Sequence, residues 1–511
     1  MTTTPSSTPV GPVHGPLLPQ PGEPGWTLWP RRIWPVNPLA GAPAAVVLAA
    51  VVAGVAGTLI WRISVASIGY PIVGVLVFAA VYGTSRRAPR GAEPIGIAVT
   101  LALLTVPAVL AAGWVSVVCV MAAWVVGWCT FVGGSSWAAV LLGPWLPWAL
   151  GVRVGGWVQR GGRQIELSGG RTDLRRIVIV AGATAGLLAV FGLLFAGADV
   201  AFAHLLRGVA PRLDGDEIFM RSVVFAIVAM FVLCGAYLLR FPPRLDALRV
   251  RRAWSVARWE WAVPLAALDV LFAAFLAVQA SVLFGGHRHV LETAGLTYAD
   301  YARQGFWQLL MVSALTLLVI AATLTVAQRA TVADRRLIRL LIGTLCALSV
   351  VIVISATHRM WLYQQAYGFT DLRLMVITVE FWLGAVFLLI LGAGIPMSGR
   401  WLPRSVMIAG ALTLLGLAMI NPDRFIAEHN IKRYQQNGRL DTVYLGRLSA
   451  DALPALDALD APLRDCLRGK IGAVAPQPWY QYNIARARAA AEAIPATDAT
   501  DCAAPTEHIT R

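Results

Sequence analysis

Eleven apolar runs of membrane-crossing length leave this chain very few folds to choose from. A helix needs about 20 apolar residues to cross the hydrocarbon of a bilayer. Such runs lie near 44–61, 67–83, 95–112, 114–132, 177–197, 222–239, 262–284, 307–327, 339–357, 374–395 and 405–420. Because helices satisfy their backbone hydrogen bonds internally, they can span lipid, and the expectation is an all-α polytopic transmembrane helix bundle of about eleven spans. Composition agrees: 58% of residues are hydrophobic and 14% charged, with a mean hydropathy of +0.67, against about a quarter charged in soluble domains. A formal charge of +15 would point to nucleic acid if the basic residues clustered on one surface. Here they are dealt out between apolar runs, so they report topology instead.

One further segment, SWAAVLLGPWLPWALGV (136–152), is shorter and carries Pro144 and Pro147, each of which removes a helical donor and kinks what it interrupts. It either lies in the interface, re-enters, or crosses as a twelfth span. Arginine and lysine favour the cytoplasmic side of short loops. With eleven crossings and the N-terminus inside, 23 basic residues fall in inner segments and 8 in outer loops, and the remaining 11 follow the last span. Letting 136–152 cross with the N-terminus still inside moves 18 of the inner arginines outside, so that arrangement is rejected. Twelve crossings with the N-terminus outside misplace only the five arginines before residue 91 and form the alternative. Both surviving arrangements orient everything from residue 177 alike, with the C-terminal region extracytoplasmic.

Residues 1–42 hold ten prolines among threonines, serines and glycines, too little apolar content to offset the entropy of ordering. This stretch is expected to be a disordered cytoplasmic tail, and its length and prolines do not suit a cleaved signal. Residues 43–152 form the N-terminal membrane helices, 153–420 the membrane core, and 421–511 a small helical extracytoplasmic region. Within that last region Asn421-Pro422 reads as a helix start and Asn437-Gly438 as its stop. Ser449 or Asp451 can cap a second helix through LPALDAL.

Four of the six cysteines lie in spans, where a thiol is usually a packed hydrophobe. Cys466 and Cys502 share the outer region, where an oxidising exterior permits a disulfide. Their spacing does not say whether the geometry closes. His204, His287, His289, His358, His429 and His508 all fall on the outer side, but His287 and His289 at i and i+2 are not a recognised metal spacing. No metal and no cofactor is expected.

Two polar links stand out. HRMWLYQQAYGFTDLR (358–373) and VLETAGLTYADYARQGFWQLL (290–310) occupy equivalent positions in successive hairpins, each with glycine, an apolar residue, then threonine. Glycine ending one helix and threonine capping the next accounts for Gly295, Thr297, Gly368 and Thr370. Capping does not account for Glu292, Arg303, His358, Arg359, Tyr363, Tyr367 and Arg373. Tyrosines at this depth fit an aromatic belt, but three arginines on the disfavoured face require an acidic partner or an anionic ligand such as a lipid phosphate. Two acids, Asp269 and Glu380, lie inside spans, where ionisable groups are expensive and mark function by default. Gln279 could join Glu380 in an outward cavity with His358 and Arg373.

The runs GLTYADYARQGFWQLL, LYQQAYGFTDLRL and NPDRFIAEHNIKRYQQNGRLDTVYLGRLS, with FLAVQASVLFGG and FAGADVAF, resemble the bacterial polytopic membrane proteins of domain-of-unknown-function family 4173, close to family 4153. The resemblance covers roughly residues 177–460. It implies a bacterial inner membrane and carries no activity, substrate or catalytic residue.

Three functions compete on this reading. The first is binding or transport of an envelope-associated ligand, an anionic lipid or small molecule, through an outward-facing polar cavity. The second is a membrane enzyme on a lipid-linked substrate with Glu380 or Glu292 as base. It lacks a Gly-x-Ser-x-Gly, an HExxH or a phosphate loop, so an enzyme is disfavoured. The third is a sensory or scaffolding subunit. Beyond the bilayer and such a ligand no partner is implied, and protein partners are not legible.

Overall fold

The structure is a computed structural model that describes residues 34, 40–63, 65–167, 191, 215–248, 256–284, 298–327, 331–396, 398–472, 477–491 and 502. Among these the chain is helical, with no strand. In order come α1 (Ala44–Ile60), α2 (Gly69–Ser85), α3 (Glu93–Val109), α4 (Gly113–Val132), α5 (Trp137–Leu142), α6 (Leu146–Leu167) and α7 (Gly215–Arg240). Then follow α8 (Arg258–Phe284), α9 (Tyr298–Val326), α10 (Val332–Tyr367), α11 (Asp371–Gly394) and α12 (Leu402–Met419). The C-terminal region adds α13 (Pro422–Asn437), α14 (Thr442–Leu445), a 3-10 helix (Ala450–Ala458), α15 (Ala461–Ile471) and α16 (Ile484–Ala491).

Among the described residues eight helices are long and apolar enough to cross a membrane, and α1, α2 and α3 are apolar helices of 17 residues each, about 25 Å at 1.5 Å per residue. They form two bundles. In the first, α1 packs against α7 so closely that a Cβ on Gly54 would meet the Phe225 ring at 2.7 Å and one on Gly57 would meet Val228 at 2.9 Å. Small residues at such a crossing let backbones approach where lipid supplies no hydrophobic drive. Trp128 of α4 is wholly buried and stacks on Phe231 of α7 with ring centroids 4.7 Å apart. In the second bundle, α8, α9 and α11 surround α10. Helix α12 joins the two, packing on α3 and α4 on one side and α11 on the other.

Hydrogen bonds sort the helix ends onto two faces. On the first, Arg240 donates to the Thr84 carbonyl at 2.8 Å, Asp246 accepts from the Ser135 and Ser136 amides, and Arg404 donates to the Gly134 carbonyl at 2.9 Å. Arg339 donates to the Gly394 carbonyl there, and Arg258 pairs with Asp334 at 2.6 Å. This is the arginine-rich face, and the described parts of the loops predicted to lie inside meet on it. On the opposite face lie the α1–α2 turn, the α3–α4 turn, the first turn of α7, where Glu217 pairs with Arg62 at 2.9 Å, the α10–α11 turn and the whole C-terminal region.

The 136–152 segment begins and ends on the arginine-rich face. Ser136 is held by Asp246, and the Trp157 carbonyl accepts from Ala42 at the start of α1 at 2.9 Å. Between them the Pro144 carbonyl accepts from Trp124 at 3.2 Å, eight residues or ~12 Å into α4 from its end. The segment therefore dips and returns. Two prolines within four residues supply the bend, and Leu146, Leu150, Val154 and Trp157 are the buried stripe of the returning helix. Although 137–163 meets the length and apolarity of a span, its anchored residues Ser136 and Trp157 lie on one side. The predicted span 177–197 lies outside the described residues except for Phe191.

Of the expected N-terminal tail, Trp34 and residues 40–42 are described. Trp34 is buried, donates to the Phe241 carbonyl at 3.2 Å and carries Arg153 over its ring.

Candidate functional site

The sixteen-residue link 358–373 is largely helix. Helix α10 runs unbroken for 36 residues through HRMWLYQQAY to Tyr367, about 54 Å, and only Gly368, Phe369 and Thr370 connect it to α11. The loss of hydropathy after residue 357 marks a change of surroundings, not a helix end, because no residue before Gly368 breaks the helix and Ala356, Met360 and Gln364 continue its buried stripe. Gly368 has φ +87°, a conformation open to glycine at no steric cost. Thr370 caps α11 by accepting from the Arg373 amide at 3.4 Å.

Helix α13 holds this turn. Asn430 accepts from the Phe369 amide at 2.7 Å and donates to the Phe369 carbonyl at 2.9 Å. Tyr444 hydroxyl accepts from the Asp371 amide at 2.8 Å and donates to the Asp371 carboxylate at 3.1 Å. Burial first, then the adjacent carboxylate, pushes the Tyr444 phenol above its ordinary value. Around Phe369, His429 stacks on Phe425 with centroids 3.9 Å apart, and Trp361 meets Phe369 edge-on at 5.4 Å. His429 is therefore engaged in ring packing and a contact to the Phe425 carbonyl. Among the described residues no group of three His, Cys, Asp or Glu side chains is placed to hold a metal.

The α3–α4 turn is held as firmly. Asp451 accepts from the Ala111 and Ala112 amides at 2.6 and 3.0 Å, capping α4 from outside its own segment with the charge that a helix N-terminus favours. Burial raises the Asp451 carboxyl, against the pull of those amides and of Ser449. Asp423 accepts from the Trp114 indole at 3.0 Å and from the Ser449 amide at 2.9 Å. Asn483 donates to the Pro107 and Leu110 carbonyls at 2.9 and 2.8 Å, and the Tyr482 carbonyl accepts from Ile68 at 2.9 Å.

Helix α13 starts and stops where Asn421-Pro422 and Asn437-Gly438 place it, with Gly438 at φ +69°. Asn421 does not cap with its side chain. It takes φ +50° and donates to Asp451 at 3.3 Å, because only two residues separate α12 from α13 and the chain must turn there. Ser449 caps the 3-10 helix Ala450–Ala458, which contains Pro454. Cys466 and Cys502 form a disulfide with Cα atoms 5.8 Å apart, and Cys502 is buried in the core of this region.

Arg373 donates to the Gly368 carbonyl at 2.5 Å and to the Tyr363 hydroxyl at 3.3 Å, with its guanidinium 4.6 Å from the Tyr363 ring centroid. Tyr363 and Tyr367 stack at 4.9 Å. Arg433 approaches from α13, donates to the Ala366 carbonyl at 3.1 Å and lies so close to Gly368 that a Cβ there would be 3.2 Å from its Nη2. Burial, then the charges of Arg373 and Arg439, lower the Arg433 guanidinium from its ordinary value. Sequence reasoning missed Arg433, and its only signal was a basic residue in the segment after the last span.

Deeper in the α10–α11 seam, Glu380 is 2% exposed. One carboxylate oxygen accepts from Thr357 at 3.1 Å, and the other is buried with no partner among the described residues. Gln364, also buried, stands on the same side of α10 two turns nearer the face, and neither atom of its amide has a partner among the described residues. Gln279 of α8 accepts from Ser355 at 2.7 Å. Ser355 and Thr357 are two residues apart, about 200° around α10, so Gln279 and Glu380 lie on different flanks of that helix. His358 is exposed, Arg359 is partly buried on the next position, and Asp269 is buried in α8 with neither oxygen partnered among the described residues. Glu292 lies outside the described residues, as do His204, His287 and His289, and of Arg303 only the helical backbone is described.

A family model described as "Domain of unknown function (DUF4153)" matches residues 97–459, reaching 80 residues further toward the N-terminus than the resemblance noted above. No curated protein and no solved structure matches the chain. The matched stretch contains Asn430, Asp451 and the α10–α11 seam, and ends before Asn483 and the disulfide.

Proposed function

The chain belongs to the DUF4153 family, and on that premise we propose that it is a multi-pass protein of a bacterial inner membrane that binds or transports an envelope-associated ligand in the α10–α11 seam. The arginine-rich face is cytoplasmic, by the preference of basic loops for that side, and the C-terminal region is extracytoplasmic. Gln364 is the observation that carries the reading. Its fully buried amide has no partner among the described residues, which costs about 1–3 kcal/mol per unsatisfied group, and it lies in line with the Glu380 oxygen that likewise has none among them, beneath the point where Arg373 and Arg433 converge on Gly368. Two guanidiniums this close repel, which an anionic group would relieve. The ligand is therefore an anionic amphiphile or small molecule that also offers hydrogen-bond donors to Glu380 and both kinds of partner to Gln364.

Native mass spectrometry of the full chain, extracted mildly from its own membranes, tests this. A bound mass is expected on the native protein and is expected to be lost in Gln364→Leu and Arg373→Ala. If no adduct is found, or if both variants keep it, the reading fails. A sensory or scaffolding role is the second reading, favoured by the C-terminal region being fastened to three separate turns of the bundle. A protein that copurifies stoichiometrically and leaves when Asn430 is replaced would favour it.

A further inference from the structure

A second site lies in the other bundle. An apolar cleft of about 280 Å³ runs between α2, α3, α4 and α7, with Trp61, Ile63 and Tyr70 at its mouth on the face of the C-terminal region. On α4 its wall runs from Val120 through Ala123 and Gly127 to Phe131, about 16 Å of helix, so the space is long and narrow and follows the membrane normal. Gly74 and Gly127 let the α3 side chains close the wall, since a Cβ on Gly74 would meet Leu104 at 2.6 Å and one on Gly127 would meet Thr100 at 3.4 Å. Below the mouth, the wall's polar atoms are already engaged: the Thr100 hydroxyl donates to the Gly96 carbonyl at 2.7 Å and the Trp124 indole to the Pro144 carbonyl at 3.2 Å. Among the described residues nothing there asks a hydrogen bond of an occupant, which describes a hydrocarbon chain rather than a polar metabolite.

The mouth is different. Arg62 and Arg221 share Glu217, each at 2.9 Å. Arg486 of the C-terminal region donates to the Ala66 carbonyl in the same turn. Among the described residues Glu217 is the carboxylate paired with two of these three guanidiniums. We propose that this cleft holds one acyl chain of an anionic glycerolipid, with the headgroup against Arg62, Arg221 and Arg486. The α1–α2 turn, held down by Tyr482 and Arg486, forms the collar. This site is separate from the α10–α11 seam and stands or falls without it.

The test uses the full chain in nanodiscs containing equal phosphatidylglycerol and phosphatidylcholine, with a photoreactive group in the acyl chain of one lipid at a time. Cross-links are mapped by mass spectrometry. Phosphatidylglycerol is expected to label Val120–Phe131 and Val73–Phe78 several-fold more than the exposed α8 positions Val270 and Leu271, and phosphatidylcholine is expected to label the cleft no more than those positions. Ala123→Leu, which narrows the cleft, should reduce cleft labelling and leave α8 labelling unchanged. Labelling of native protein that is even between cleft and α8, or equal for the two lipids, overturns the proposal without reference to any variant.

Discussion

Asn430 and Phe369 pair as two strand residues would, side-chain oxygen to amide at 2.7 Å and side-chain nitrogen to carbonyl at 2.9 Å. One side chain thereby satisfies both backbone groups of a buried turn residue. Replacing it with alanine leaves a buried donor and acceptor open, which costs about 1–3 kcal/mol each. Asn430→Ala is expected to lower the melting temperature and to raise hydrogen exchange at Phe369 and along α13 first. Unchanged exchange in α13 would mean that the turn is held by the aromatic cluster alone.

The side of the membrane is read most directly from the disulfide. In intact cells, a membrane-impermeant thiol reagent should label Cys466 and Cys502 only after reduction. Removing the pair with Cys466→Ser should destabilise the C-terminal region by about 2–4 kcal/mol. Labelling that waits for permeabilisation would place this region in the cytoplasm.

Whether 137–157 returns to its starting face can be asked with single cysteines in a chain otherwise free of thiols. Gly162 has open space around it and Arg90 is exposed. Gly162→Cys and Arg90→Cys are expected to label from the same side, and Arg439→Cys from the other. If Gly162→Cys labels with Arg439→Cys, the segment crosses.

Asp246 fastens the entry to that segment. Burial raises its carboxyl, but bonds from Ser135 and Ser136 outweigh this and hold it below its ordinary 3.8. A depressed carboxyl stabilises the fold above its unfolded value and loses that contribution as pH falls through the folded value. Protection of the Ser135 and Ser136 amides, corrected for intrinsic rates, should therefore be constant above about pH 4 and fall below it. In Asp246→Asn the protection should be lower and flat with pH. A native profile that is equally flat would show that the bonds do not depend on the charge.

The bundle was legible because lipid imposes one rule on every span: enough apolar residues, with backbone bonds closed internally. The arginine pattern sorted loops onto faces for a similarly simple reason. Short-range chemistry carried the start and stop of α13 as well, since Pro422 and Gly438 act through their own φ angles. The polar link 358–373 marks where this ended. Its hydropathy correctly marks a change of surroundings, yet the helix continues for ten residues past 357, because hydropathy reports solvent and only backbone geometry reports where a helix stops.

The partners of that link are set by contacts distant in sequence: Asn430 reaches Phe369 across 61 residues and Asp451 reaches Ala111 across 340. No local pattern encodes such pairs. Whether Glu380 and Gln279 face one another depended on the angle around α10 at which Ser355 and Thr357 project, once α8 and α11 had taken their flanks. The sequence by itself determined that the chain is a bundle of apolar helices suited to a membrane, since that follows from each residue's own transfer energy. Tertiary structure alone decided which polar groups are satisfied and which, like Gln364, are left open, because that depends on what packs against them.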